Sequence, residues 1–219
     1  ERLSQTYFWP NMRRDAEAFV RSCEFCGSRK AERLRPAGLL EPIQVGGPGQ
    51  LVAMDFVGPL PASTRGNRYI LLFMDHFTKY PEAYPVVRAD ADAVVTALVD
   101  YVSRHGIPDR LLSDRGRHFT AGDVAKVAAP LGIKRVLTSA YHPQTDGTIE
   151  RFNRTLYDML SAYVSADHDD WDKWLPYVLF AYRTSQHEST KQTPFFLTHG
   201  RDAVLPQSVV APPAEAADP

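Results

Sequence analysis

Three short apolar runs lie almost end to end between residues 51 and 87: LVAMDFVGPL, RYILLFMD (68–75) and YPEAYPVV (80–87). Connections this short leave no room for a crossover, so the three strands are expected to form an antiparallel meander. Pro81 and Pro85 lack backbone donors and confine the third run to a sheet edge. The period then changes. Val94, Val95, Leu98, Tyr101 and Val102 make a helical stripe over 91–105, ended by Gly106 and Pro108. DRLLSD (109–114) reads as a strand, 120–129 as a helix stopped by Pro130 and Gly132, and KRVLTS (134–139) as a further strand. Two helices follow, about 148–165 and 171–186. In the second, Trp171, Trp174, Leu175, Val178, Leu179 and Tyr182 share one face. Three antiparallel strands followed by strands alternating with helices predict an α/β fold, a mixed five-stranded sheet flanked by helices. A helical crossover from strand one to strand four makes that pair parallel and right-handed. With strand four beside strand one, the order is 3-2-1-4-5.

Upstream, Pro10 fits an early helical position, and Met12, Ala16, Phe19 and Val20 recur at helical spacing. Residues 31–50 hold Pro36, Gly38, Pro42, Gly46, Gly47, Pro48 and Gly49, a density of breakers that marks a linker. The expected organisation is a helical segment 1–30, a linker 31–50, a main domain 51–205 and a tail 206–219. The tail, rich in Pro and Ala, is expected to lack fixed structure. At 219 residues and 44% hydrophobic, the chain can build one good core with appendages. No apolar run reaches the length of a membrane span, and the start has no signal-like apolar segment. It also lacks an initiator Met, which suggests a fragment.

The net charge of −1 excludes a chain uniformly coated in basic residues, but a local basic patch can sit beside an acidic site. The only cysteines, Cys23 and Cys26, form a CxxC. That argues against a secreted disulfide framework and for a reducing compartment. CxxC is half of a tetrahedral zinc site; a redox CxxC needs a thioredoxin-like setting, which the pattern lacks.

Asp55 interrupts an apolar strand. Such an acid faces solvent, sits beside a lysine, or is paired, protonated or bound to metal. Asp114 ends strand four in LLSDRGRHF, where Ser-Asp-Arg-Gly is also good turn chemistry. Glu150 lies in the first turn of its helix, a position acids favour through capping and the helix dipole. On a 3-2-1-4-5 sheet, however, Asp55 and Asp114 occupy neighbouring strands, and the helix of Glu150 can lean over the end of strand four. Three carboxylates so gathered repel one another, and divalent cations relieve this. Oxygen-only ligation suits Mg²⁺ or Mn²⁺. Two such ions roughly 4 Å apart can activate an attacking oxygen and stabilise a leaving one at phosphorus.

The 35 residues between Asp114 and Glu150, together with Asp55, resemble the D,D-35-E site of retroviral and retrotransposon integrases. The likeness covers nearly the whole chain. YFWPNMRRDAEAFVRSCEFC resembles the end of the integrase zinc-binding domain. MDFVGPLP, FMDHFTKYPEAYPV, LLSDRGRHF, TSAYHPQTDGTIERFNRTL and FAYRTSQHESTKQTPFFLTHGR are similar to the Ty3/gypsy group. A lone triad spacing would be weak; five ordered blocks at matching spacing are specific. The resemblance implies a ribonuclease H-like catalytic core, with Asp55, Asp114 and Glu150 as ligands of two Mg²⁺ or Mn²⁺ ions. It implies that residues 142–147 form the loop beside the site and that the next helix lies along DNA. His142, Gln144, Asn153, Arg154, Lys79, Arg115, Arg117 and Arg151 are then candidate DNA contacts, although an exposed Lys or Arg is often only a solvated surface charge.

By the same resemblance Cys23 and Cys26 are zinc ligands. The family pairs them with two upstream histidines, whereas the first histidine here is His76, so that half of the zinc site and the family's carboxy-terminal domain are expected to be truncated or lost. The implied partners are element-end and target double-stranded DNA and further copies of the chain, with no membrane and no small-molecule substrate. The implied location is the nucleus of a eukaryote. Three functions fit: an active integrase cutting and joining DNA ends, a host-retained remnant that binds DNA or protein without catalysis, and a plain nuclease or transposase.

Overall fold

The computed structural model describes residues 7–22, 44–137 and 147–205. Two compact units divide the chain, one comprising Glu1–Leu39 with Ala203–Pro219 and the other Leu40–Asp202. In the first, helix α1 (Met12–Ser22) is braced at its start by Trp9, whose indole N–H donates to Asp15 at 3.0 Å.

The second unit contains a five-stranded sheet: β1 (Val52–Val57), β2 (Tyr69–Asp75), β3 (Pro81–Val86), β4 (Arg110–Ser113) and β5 (Lys134–Leu137). The order is β3-β2-β1-β4-β5: the meander follows the short connections, and β4 lies beside β1, the placement on which the expected order depended. β1–β2 and β2–β3 are antiparallel, β1–β4 and β4–β5 parallel. The proline-bearing β3 is an edge strand. Helix α2 (Ala91–His105) makes the crossover into β4; Asp90 caps it by accepting from the Ala93 N–H at 3.0 Å. Short helices α3 (Arg117–Thr120) and α4 (Gly122–Ala128) lead to β5, followed by α5 (Gly147–Leu160), α6 (Trp171–Arg183) and α7 (Pro194–His199).

The two-residue period of the strands sorts their side chains onto two covered faces. Leu51, Ala53, Val57, Ile70, Leu72 and Met74 pack with Ile149, Phe152, Leu156 and Leu160 of α5 and Trp171, Leu175, Val178 and Leu179 of α6. Val52, Met54, Leu71 and Phe73 pack on the other face with Val94, Leu98 and Tyr101 of α2, Phe119 of α3 and Val124 of α4. Burial on both faces explains why Ile70–Met74 reads as an unbroken apolar run. Asp55 shares the parity of Ala53 and Val57 and therefore belongs to the face that α5 covers.

The helix expected at 171–186 ends at Arg183, and α3 and α7 have no counterpart in the pattern of apolar residues. α7 has only six residues, too few to show a period. Its signals are local: the Thr193 hydroxyl accepts from the Phe196 N–H, Pro194 takes the first position, and Gly200 closes the helix at φ 68°.

Candidate active site

Asp55 sits in the middle of β1, half-buried. Strand β4 pairs with β1 in parallel, with Ala53 opposite Leu112. Two residues farther along each chain come Asp55 and Asp114, so the register carries both acids toward the same end of the sheet. Asp114 lies just past β4, exposed, and its Oδ1 accepts from the Gly116 N–H at 2.7 Å. Glu150 stands exposed in the first turn of α5, between the buried Ile149 and Phe152 that fix the helix on the sheet.

The Asp55 carboxylate is held from two sides. Its Oδ1 accepts from the Phe56 N–H at 2.8 Å, and its Oδ2 accepts from Asn153 Nδ2 at 2.7 Å. Burial pushes its pKa above the usual carboxylate range; the two hydrogen bonds pull it down, and the charges of Asp114 and Glu150 push it up again. Asp114 and Glu150, both distant in sequence, are thus within electrostatic reach of Asp55. The three acids stand open rather than as a closed cage: among the described residues no three His, Cys, Asp or Glu side chains are grouped to hold a metal ion. The donor set nevertheless fits a hard divalent cation, because it consists of carboxylate oxygens alone and one of the three is desolvated and repelled by the others.

The other candidate residues fall into separate groups. Asn153 donates to Asp55, and its own Oδ1 is buried with no hydrogen-bond partner among the described residues. Arg115, Arg117, Arg151 and Arg154 are exposed, whereas Lys79 is half-buried in the β2–β3 turn. His142, Gln144, Cys23 and Cys26 lie outside the described residues. Sequence reasoning missed His118, which meets Phe56 edge-on at 4.8 Å and Phe119 at 4.4 Å. Its only sequence signal is its place four residues after Asp114.

Gly116 is where this corner is tightest. A Cβ there would lie 2.6 Å from His118 Nε2 and 2.8 Å from Asp114 Oδ1. Its φ of −55° suits any residue, so the constraint is steric rather than conformational. Gly116→Ala is therefore expected to displace the Asp114 carboxylate or the His118 ring. Whatever metal-dependent chemistry these acids support should fall by about a hundredfold, the scale of a misplacement near 1 Å, while the thermal midpoint moves by only a few degrees. Scanning fluorimetry beside an activity assay checks this; unchanged activity would contradict it.

Residues 46–143 match the integrase core domain and residues 1–32 the integrase zinc binding domain. The chain is 29% identical over 207 residues to the Retrovirus-related Pol polyprotein from transposon 412 of Drosophila melanogaster, covering 94% of this chain and 17% of that protein. It is 27% identical to Gypsy retrotransposon integrase-like protein 1 of Bos taurus, covering 94% of this chain and 41% of that one. The chain thus spans well under half the length of these relatives. A similar structure is that of the simian T-cell lymphotropic virus intasome in complex with PP2A regulatory subunit B56 gamma, with TM-score 0.65 and 17% identity over 88% of this chain and 68% of that one. Another is the HTLV-2 integrase catalytic core domain in complex with magnesium, with TM-score 0.59 and 14% identity over 73% of this chain and 100% of that one. The fold is the ribonuclease H-like one of retroviral integrase cores.

Proposed function

We propose that this chain, which belongs to the integrase family, is the part of a retroelement integrase that cuts the 3′ ends of element DNA and joins them to target DNA. The observation that carries this reading is Asp55, a half-buried strand carboxylate whose charge is opposed by Asp114 and Glu150. Those three residues would hold two Mg²⁺ or Mn²⁺ ions, which supply activation of the attacking oxygen and stabilisation of the leaving one at phosphorus. The chain's own contribution is positional. Asn153 and the Phe56 N–H orient Asp55, the Gly116 N–H orients Asp114, and the buried Ile149 and Phe152 fix the turn bearing Glu150. The attacking groups are water for end cutting and a DNA 3′-hydroxyl for joining, so no side-chain nucleophile is required. The magnesium in the similar HTLV-2 core supports the choice of cation.

Cys23 and Cys26 fall within the segment matching the integrase zinc binding domain and would be zinc ligands there. Double-stranded DNA, further copies of the chain and a nuclear location complete the proposal. A second reading, a remnant that binds DNA or protein without catalysis, draws on the open arrangement of the acids among the described residues. The two readings separate in one assay. With labelled DNA ends and Mn²⁺, the first expects nicked and joined products that a chelator abolishes. Binding without products would favour the second.

A further inference from the structure

A cleft of about 620 Å³ opens where β2 begins and where the chain leaves β3 for α2. It is lined by Arg68, Tyr69, Val87, Arg88, Ala89 and Asp90. The cleft lies at the carboxylate end of the sheet. Asp55 stands opposite Leu72 in the β1–β2 register, and Val57 opposite Ile70. Tyr69 is therefore one strand over from Asp55 and three residues farther toward the end of β1. At about 3.4 Å per residue that offset is about 10 Å, the rise of about three nucleotides in a stacked strand.

The walls of the cleft are held from outside it. The Arg68 N–H donates to the Val86 carbonyl at 3.0 Å, and the Arg68 carbonyl accepts from the Leu60 N–H at 2.7 Å. Gly58, at φ 132°, brings the chain after β1 directly against this strand. A Cβ there would lie 2.9 Å from Tyr69 Cδ1 and 2.8 Å from the Arg68 carbonyl oxygen. The half-buried Tyr69 ring is thus braced by backbone that continues from the Asp55 strand. Arg68 and Arg88 are exposed, and neither guanidinium makes a hydrogen bond or ion pair with another described residue. The one acid in the lining is committed to the fold, because Asp90 Oδ1 accepts from the Ala93 N–H at the start of α2. Two guanidiniums beside one capping carboxylate leave the cleft cationic. Tyr69, Val87 and Ala89 give it an apolar wall. A paired duplex hides its base faces and has nothing to offer that wall. An unpaired nucleotide presents a phosphate and a bare π-face together.

We propose that this cleft receives one unpaired nucleotide of DNA near the carboxylate site, its phosphate between Arg68 and Arg88 and its base against Tyr69 and Val87. This rests on the DNA-processing reading above. A guanidinium fork matches the free oxygens of a phosphodiester, and any of the four bases can lie on the Tyr69 ring. The cleft therefore favours an opened duplex end over a closed one without reading its sequence.

The test is fluorescence anisotropy on the whole chain without divalent metal, across a range of salt. A labelled blunt duplex is compared with the same duplex carrying a three-nucleotide single-stranded tail, on either strand. One of the two tails should strengthen wild-type binding about tenfold, the scale of stacking one base on an aromatic ring. Tyr69→Leu, which keeps an apolar side chain beside Gly58, should abolish that advantage and leave blunt-duplex binding unchanged. Tyr69→Phe should retain it. Arg68→Gln with Arg88→Gln should also remove the advantage, and should flatten the slope of log affinity against log salt for the tailed duplex by about 0.7, the single-strand value for one phosphate. Equal binding of blunt and tailed duplexes by the wild type would overturn the proposal. So would an advantage that needs the arginines but survives Tyr69→Leu, since that describes a plain anion site such as an acidic peptide would use. Measuring Mn²⁺-dependent nicking on the same samples separates the two ideas. Nicking without a tail advantage removes the cleft alone. A tail advantage that depends on Tyr69 and both arginines, without nicking, removes the catalytic reading and leaves the cleft.

Discussion

Asp55→Asn, Asp114→Asn and Glu150→Gln, made one at a time, are each expected to cut metal-dependent DNA cleavage and joining by about a thousandfold or more, the scale of losing several kcal/mol of metal-assisted stabilisation. The fold should survive each change. Asp114 and Glu150 are exposed, so their amides should leave the thermal midpoint within a few degrees. Asp55 is more delicate. Its raised pKa means that its ionised form destabilises the metal-free fold. This cost is absent below the ordinary aspartate pKa and grows as pH rises through the elevated folded value. The Asn variant escapes that cost but offers one oxygen where Phe56 and Asn153 supply two donors. These effects oppose each other, and a small net change in midpoint is expected. A divalent cation at a hundred times its dissociation constant should stabilise the wild type by about 2.7 kcal/mol and each variant by clearly less. Full activity in any one of the three would remove that residue from the site.

The second large effect lies away from the acids. Arg183→Ala is expected to destabilise the fold by about 3 kcal/mol in urea unfolding at neutral pH. Glu82 is buried on the edge strand β3, its side chain 9% exposed. Its Oε2 accepts from Arg183 Nη2 at 2.8 Å, and its Oε1 meets His105 Nε2 at 2.8 Å. The same guanidinium donates to the Pro81 carbonyl and lies 4.4 Å over the Tyr80 ring. One side chain thus ties the end of α6 to an edge strand that has a single neighbouring strand in the described sheet. Without it, a carboxylate is left buried with weaker partners. Burial alone would push Glu82 up; the hydrogen bond from His105 and the charges of Arg183 and Arg104 outweigh it and hold the group below the usual glutamate range. The stability this confers is present above the unfolded pKa and is lost as pH falls through the lowered folded value. The deficit of Arg183→Ala should therefore shrink in acid, where Glu82 is protonated in both proteins. Pairing Arg183→Met with Glu82→Leu should recover much of the loss, because an apolar pair needs no compensation. A deficit unchanged with pH would mean that Arg183 contributes through packing alone.

The order of the first three strands and the β3 edge were legible because they follow from connection length and proline position. Three runs with short joins must pair in sequence, and β3, carrying Pro81 and Pro85, had to be the edge. Asp55 was legible as an acid in an apolar run. What held it was not: Asn153 lies 98 residues away, and no local pattern announces a hydrogen bond across that distance. Asn153 and Arg151 both read as surface residues of a DNA-facing helix. The structure separates them, with Asn153 bonded to Asp55 and Arg151 exposed. Glu82 looked like an ordinary strand residue because His105 and Arg183 stand 23 and 101 positions from it. Periodicity reports which face a residue takes. It is silent on which polar partner the fold will bring to that face.

Crystals of the chain soaked in Mn²⁺ and measured at the manganese absorption edge would bear most directly on the carboxylate site. The expected result is anomalous density bridging the carboxylates of Asp55 and Asp114, with Glu150 turned toward it. Manganese bound elsewhere at saturating concentration, with those three carboxylates bare, would contradict the account.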